Sequence, residues 1–130
     1  MRVRSTAIAL TVDDVPTSTK FLADHFGYTE RMAADGFASL GRDHTGPDLI
    51  FMRRGLEVLP PTLRDVHTAG TIVAFVVDDL DAEQDRLRAE GVEPFLPIRE
   101  EPWGERLLLV SDPNGVVYEL VEWADPGSGR

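Results

Sequence analysis

Residues 71–91 read TIVAFVVDDLDAEQDRLRAEG, and residues 5–27 read STAIALTVDDVPTSTKFLADHFG. Each runs from a short strand-like stretch through Val-Asp-Asp into a helical pattern that stops at a glycine. In the N-terminal segment, Ile8, Leu10 and Val12 fall on one face of a strand and the smaller Ala7, Ala9 and Thr11 on the other, so both faces are expected to be covered. Asp13 and Asp14 offer capping oxygens, Pro16 sits in the first turn, and Phe21, Leu22, His25 and Phe26 recur at helical spacing before Gly27. The segment over 71–91 repeats this with Asp78 and Asp79, a helix over Leu80 to Glu90 that carries Leu80 and Leu87 inward, and Gly91. Val12 and Val77 lie half of the 130-residue chain apart.

Outward from these segments, three short strands follow each helix. The first set is Thr29 to Ala33, Gly36 to Arg42 and Asp48 to Arg53; the second is Glu93 to Ile98, Glu105 to Ser111 and Val116 to Trp123. The stretch Gly55 to Gly70, with Pro60-Pro61, reads as a linker. The expected organisation is one domain over residues 1–130, with a βαβββ module over 1–55, a linker over 56–70, a second βαβββ module over 71–123 and a flexible tail over 124–130. The fold class is α+β. A four-stranded sheet with one helix on one face leaves its other face bare, so the two mixed sheets are expected to cup together or to pair across a homodimer.

Composition narrows the function. A formal charge of −10 argues against binding a nucleic-acid backbone and favours a cationic ligand over an anionic one, although acidity also serves solubility. No apolar run approaches the roughly 20 residues that span a bilayer, so no membrane partner is expected. No secretory leader is recognisable at the start, and there is no cysteine, which excludes disulfides and thiolate chemistry and fits a cytoplasmic protein.

The tandem βαβββ pattern, the two Val-Asp-Asp segments, and Asp112-Pro113-Asn114-Gly115 leading into Tyr118-Glu119-Leu120 together resemble the glyoxalase/bleomycin-resistance/dioxygenase, or vicinal-oxygen-chelate, superfamily over nearly the whole chain. Pro102-Trp103-Gly104-Glu105-Arg106 is similar to the corresponding stretch of the bleomycin-resistance proteins, and Gly36-Phe37-Ala38 to a ligand-stacking segment there. Taken alone, Asp112 to Gly115 is also an ordinary turn sequence, and Trp103 could be a core aromatic.

The resemblance implies a divalent metal in the family's enzymes, held by a residue in the first strand of each half and a Glu in the last strand. Here those first-strand positions carry Ala7 and Ile72, and only Glu119 matches; the fourth strand adds nothing beyond Asp48. One ligand does not hold a catalytic metal. His25, His44 and His67 are scattered and read as surface or capping residues, and no Ser-His-Asp set or phosphate loop is present. No catalytic residue, metal or cofactor is therefore expected.

The candidate ligand-binding residues are Phe37, Phe51, Ile72, Trp103, Arg106, Leu107 and Glu119. Phe37, Phe51 and Trp103 would offer stacking surfaces, small residues at Ala7, Ala9 and Ala74 would make room, and Glu119 would meet a cation or hydrogen-bond. Arg106 would either neutralise a carboxylate or donate to the ligand. The function expected is a homodimeric, antibiotic-binding resistance protein that sequesters a bleomycin-type glycopeptide, an enediyne or a planar polycyclic drug without chemistry. The alternatives are a metal-dependent lyase, isomerase or dioxygenase of the same fold, and an interaction subunit with no small-molecule site.

Overall fold

The protein is described by a computed structural model covering residues 1–43 and 46–124; His44 and the expected tail beyond Ala124 lie outside the described residues. Two compact units are present, Met1–Ala69 and Gly70–Arg130. In the first, β1 (Ala7–Val12), α1 (Val15–His25), β2 (Thr29–Ala34), β3 (Phe37–Gly41) and β4 (Asp48–Arg53) precede a short α2 (Pro61–Arg64). In the second, β5 (Ile72–Val76), α3 (Leu80–Ala89), β6 (Leu96–Glu100), β7 (Glu105–Ser111) and β8 (Val117–Trp123) repeat the order. The sheets run β1-β4-β3-β2 and β5-β8-β7-β6. Only β1 with β4 and β5 with β8 are parallel. This is the tandem βαβββ, α+β architecture that the repeated segments imply.

The second aspartate of each Val-Asp-Asp starts its helix. Asp14 Oδ1 accepts from Thr17 N at 3.4 Å and Asp79 Oδ1 from Ala82 N at 3.1 Å, each satisfying a backbone donor that the helix cannot. Each helix then buries one stripe against its own sheet. Val15, Ser18 and Leu22 of α1 are buried, as are Leu10, Val12, Leu40, Leu49 and Phe51 of the strands. In the second unit Leu80 and Leu87 are buried along with Leu108, Val110, Tyr118 and Leu120. Fully burying a leucine contributes roughly 2 kcal/mol, so these two helix–sheet cores hold each unit together.

The strand edges explain where the sequence-based boundaries shift. Strand β6 begins at Leu96 rather than Glu93, and its register with β7 breaks between Leu96 and Arg99. Pro97 stands inside that break and has no N–H to give to a ladder, which an edge strand tolerates as a bulge. The neighbouring Ile98 N–H donates instead to Gln84 Oε1 of α3 at 3.2 Å. A matching irregularity lies between Glu30 and Met32 on the first sheet's edge strand, β2.

The stretch expected to be a linker is tied to the first unit along its length. Thr68 N donates to Thr11 O at 2.7 Å and Thr68 Oγ1 accepts from Thr11 N at 2.7 Å, while Gly55 N reaches Arg64 O. Arg64 closes α2 by donating to the carbonyls of Glu57 and Leu59, and Leu59 is buried. Proline density hides this from a composition reading, because Pro60-Pro61 both breaks a strand and starts a helix.

The turn before β8 is built on Asp112, which is buried. Its Oδ1 accepts from Asn114 N at 2.8 Å and Val116 N at 3.1 Å, and its Oδ2 accepts from the buried Tyr118 hydroxyl at 3.0 Å. Gly115 takes φ +85°, the left-handed conformation that closes the turn. Asp112→Ala strands these donors inside the protein, and a loss of about 2–4 kcal/mol in urea unfolding is expected, against about 1 kcal/mol for Tyr118→Phe.

Candidate functional site

In the second sheet, residues on the face away from α3 are fixed by register. Ile72 pairs with Val117, Ala74 with Glu119 and Val76 with Val121; across β7, Leu109 pairs with Glu119 and Leu107 with Val121. Paired residues share a face, so Glu119 stands amid Ala74, Leu109, Val117 and Val121. This face grades from nearly buried, at Leu107 and Val121, to open at Ile72 and Val76, which are 54% and 56% exposed.

Glu119 is half-buried in this apolar setting and makes no hydrogen bond or ion pair among the described residues. Burial, with a smaller contribution from the nearby Glu105 charge, raises its pKa above the ordinary carboxyl range. Glu105 also accepts from the indole of Trp103 at 3.2 Å, which ties an aromatic ring, 65% exposed, to the same neighbourhood. An unpaired carboxylate on a largely apolar sheet face that also carries Glu105, the acceptor of an exposed indole, suits a flat ligand with a donor or a positive charge.

Of the other expected ligand residues, Ile72 and Leu107 lie on this face. Two expectations are corrected. Arg106 is out of phase with Leu107 and points to the helix side, donating to Asp81 at 3.1 Å and to Glu122 at 2.9 Å. Glu122 in turn accepts from Leu80 N at 3.0 Å, so the arginine fastens the start of α3 to β7 and β8. Of the two roles left open for it, neutralising carboxylates is the one seen. Phe51 pairs with Leu10 and Ala38 and is 0% exposed in the core beneath α1, so it offers no stacking surface.

Phe37, in the first unit, pairs with Met52 and is half-buried at the edge of a cleft of about 420 Å³. Asp13, Asp14, Asp35 and Arg53 also line that cleft. Its charges are engaged locally: Arg53 pairs with Asp35 at 3.0 Å, Asp13 with Arg54 at 2.8 Å, and Asp14 caps α1.

The family's divalent metal does not fit the donors present. Ala7 and Ile72 occupy the matching first-strand positions and have no donor atom, and Ala7 pairs with Asp48 in a different unit from Glu119. Among the described residues, no group of three or more His, Cys, Asp or Glu side chains could hold a metal ion. His25 packs edge-on against Phe21 and His67 Nδ1 lies 3.0 Å from Thr68 O.

One feature of the first sheet escaped the sequence reading. The side chain of Arg31, at the β2 irregularity, lies directly over Gly41 on the face away from α1. A glycine inside a strand is the signal that could have found it, because such a glycine marks a close approach.

The raised pKa of Glu119 gives a pH prediction. Its burial favours the protonated form, so this contribution to stability is fully present below the unfolded-state value of about 4.5 and is lost as pH rises through the higher folded value. Glu119→Gln should therefore unfold at higher urea than the parent at pH 7, and the difference should vanish by about pH 4.

Residues 4–120 match the family model described as the Glyoxalase/Bleomycin resistance protein/Dioxygenase superfamily. Among solved structures, a glyoxalase/bleomycin resistance protein/dioxygenase from Nocardioides superposes with a TM-score of 0.78 at 24% identity, covering 100% of this chain and 89% of that one. A lactoylglutathione lyase from Agrobacterium tumefaciens gives 0.73 at 19% identity, with 93% and 94% covered. TioX from Micromonospora sp. ML1 gives 0.66 at 26% identity, with 93% and 99% covered. No curated protein sequence matches significantly. The family match extends over most of the chain and agrees with the two βαβββ units, and the chain belongs to the glyoxalase/bleomycin resistance protein/dioxygenase superfamily.

Proposed function

We propose that this protein is a binding member of its superfamily, an antibiotic-sequestering resistance protein that captures a cytotoxic natural product without chemically altering it. The observation that supports this reading most is Glu119: a carboxylate without a hydrogen-bond or ion-pair partner on a largely apolar sheet face, with Ala7 and Ile72 at the positions where the family's enzymes carry metal ligands. What remains is a trough for a flat, partly cationic molecule, with Trp103 as its aromatic wall. Bleomycin-type glycopeptides, enediynes and planar polycyclic drugs meet that description. The protein would work by stoichiometric capture, as a homodimer in the cytoplasm; no helix among the described residues is long and apolar enough to cross a membrane.

The superfamily also contains enzymes, and a metal-dependent lyase, isomerase or dioxygenase is the competing reading. It would require donors that the described residues do not supply around Glu119.

The test is a tryptophan-fluorescence titration with bleomycin, an enediyne, a mitomycin and a cationic anthraquinone. Saturable quenching at one ligand per chain is expected for at least one compound, lost in Trp103→Ala. For a cationic compound, Glu119→Gln should weaken binding on the order of tenfold, the worth of one charge-assisted contact. The ligand should be recovered unchanged after denaturation. Silence across the panel, or conversion of the ligand with a divalent metal present, would overturn the reading.

A further inference from the structure

We propose that Asn114 is a site of spontaneous covalent modification: its side-chain amide converts to aspartate or isoaspartate through the backbone of Gly115, and the hydrogen bonds to Asp112 hold that reaction off until the turn opens. This stands apart from the sequestration reading, because no ligand and no residue of the Glu119 face takes part.

The chemistry starts in the sequence. Asn114 is the only asparagine in the chain, and a glycine follows it. The backbone nitrogen of the next residue can attack an asparagine amide, and a glycine, having no side chain, leaves that nitrogen unshielded. Gly115 N forms a bond to Asn114 Cγ and the Cγ–Nδ2 bond breaks. Nδ2 leaves as ammonia, taking the proton that Gly115 N gives up. Water then opens the succinimide ring at either carbonyl. One opening leaves aspartate; the other leaves isoaspartate, whose main chain runs through Cβ. Other residues are poorer candidates. Gln84, the only other side-chain amide, would have to close a larger ring, and its Oε1 accepts from Ile98 N at 3.2 Å. Asp35-Gly36 could close the same ring by losing water, but the Arg53 guanidinium holds the Asp35 carboxyl below its ordinary pKa and so ionised, a poor target for a nucleophile.

The structure adds the restraint. Ring closure needs the peptide between residues 114 and 115 to swing its nitrogen toward Asn114 Cγ and to release its proton. Asp112 opposes both. Its backbone O accepts from Gly115 N at 2.9 Å, and its Oδ1 accepts from Asn114 N at 2.8 Å and Val116 N at 3.1 Å. Three successive N–H groups thus converge on one residue. Asp112 is fixed in its turn by the Tyr118 hydroxyl and by its own N–H, which donates to Val116 O at 3.0 Å. Asp112, Val116 and Tyr118 are buried, whereas Pro113 and Gly115 are exposed. Among the described residues, nothing beyond its chain neighbours lies within 4 Å of where a Cβ on Gly115 would stand. Water reaches the peptide, and hydrogen bonds rather than packing restrain it; openings of that local kind cost less than global unfolding.

The product cannot rebuild the turn. It adds a negative charge beside the buried Asp112, and isoaspartate puts an extra main-chain carbon between the N–H of residue 114 and those of Gly115 and Val116. One carboxylate oxygen then no longer accepts from both 114 and 116. Each opening that reacts is therefore recorded permanently at the start of β8, the strand that carries Glu119.

The test is incubation in mildly alkaline buffer, with peptide mapping by mass spectrometry and enzymatic methylation of isoaspartate to follow residue 114. The folded parent should convert at least about tenfold more slowly than the same protein in urea. Asp112→Ala should convert at least about tenfold faster than the folded parent. Tyr118→Phe, which keeps the Asp112 carboxylate but loosens it, should convert at least about twofold faster, and it decides the matter if circular dichroism shows that Asp112→Ala is unfolded. Modified protein separated by ion exchange should unfold at lower urea than the parent. Equal rates in the folded and urea-unfolded parent, an Asn114 that stays intact in urea, or a folded Tyr118→Phe variant no faster than the parent would overturn the proposal.

Discussion

One helix cannot cover both faces of a four-stranded sheet, and the organisation of each unit follows from that constraint. The period of two along a strand sorts every residue to the helix side or away from it. On the helix side the residues are Leu10, Leu49 and Phe51 in one unit and Leu108, Tyr118 and Leu120 in the other, all nearly or fully buried. On the opposite side lie Ala7, Ala9, Ile72, Ala74 and Val76, all exposed. An apolar face with that much exposure is where the proposed ligand would sit. Glu119 stands on such a face without a hydrogen-bond or ion-pair partner among the described residues.

Polar interactions of three kinds keep the strands and helices in phase. Asp14 and Asp79 fix where the helices begin. Arg106, Asp81 and Glu122 fasten the start of α3 to the central strands. Asp112 organises the turn into β8 and takes the Tyr118 hydroxyl. The placement of Glu119 on its face depends on the last of these, because it is one residue from Tyr118, and a slip of one residue would send it into the core.

The fold was readable because its signals are local and repeated: alternation in β1 and β5, Asp caps, and glycine stops at Gly27 and Gly91. The site was readable only in part. Glu119, Ile72 and Leu107 fall on the expected face, because alternation in β5 and β8 is unambiguous once the strands are paired. Phe51 did not, since Leu49-Ile50-Phe51-Met52 is apolar throughout and carries no period from which to choose a face. Arg106 was placed by its nearness to Trp103, although a residue adjacent to Leu107 must point the other way. Arg31 has no motif at all; only the distant Gly41 records its presence, and that link is tertiary.

The central claim is that Glu119 lacks the fellow donors that a divalent metal would need. Titration calorimetry of purified, metal-free protein with zinc, nickel and manganese addresses it most directly. The account predicts no stoichiometric, saturable binding and the same heats for Glu119→Gln as for the parent. One tightly bound ion per chain, lost in Glu119→Gln, would contradict it and move the protein to the metal-dependent side of its superfamily.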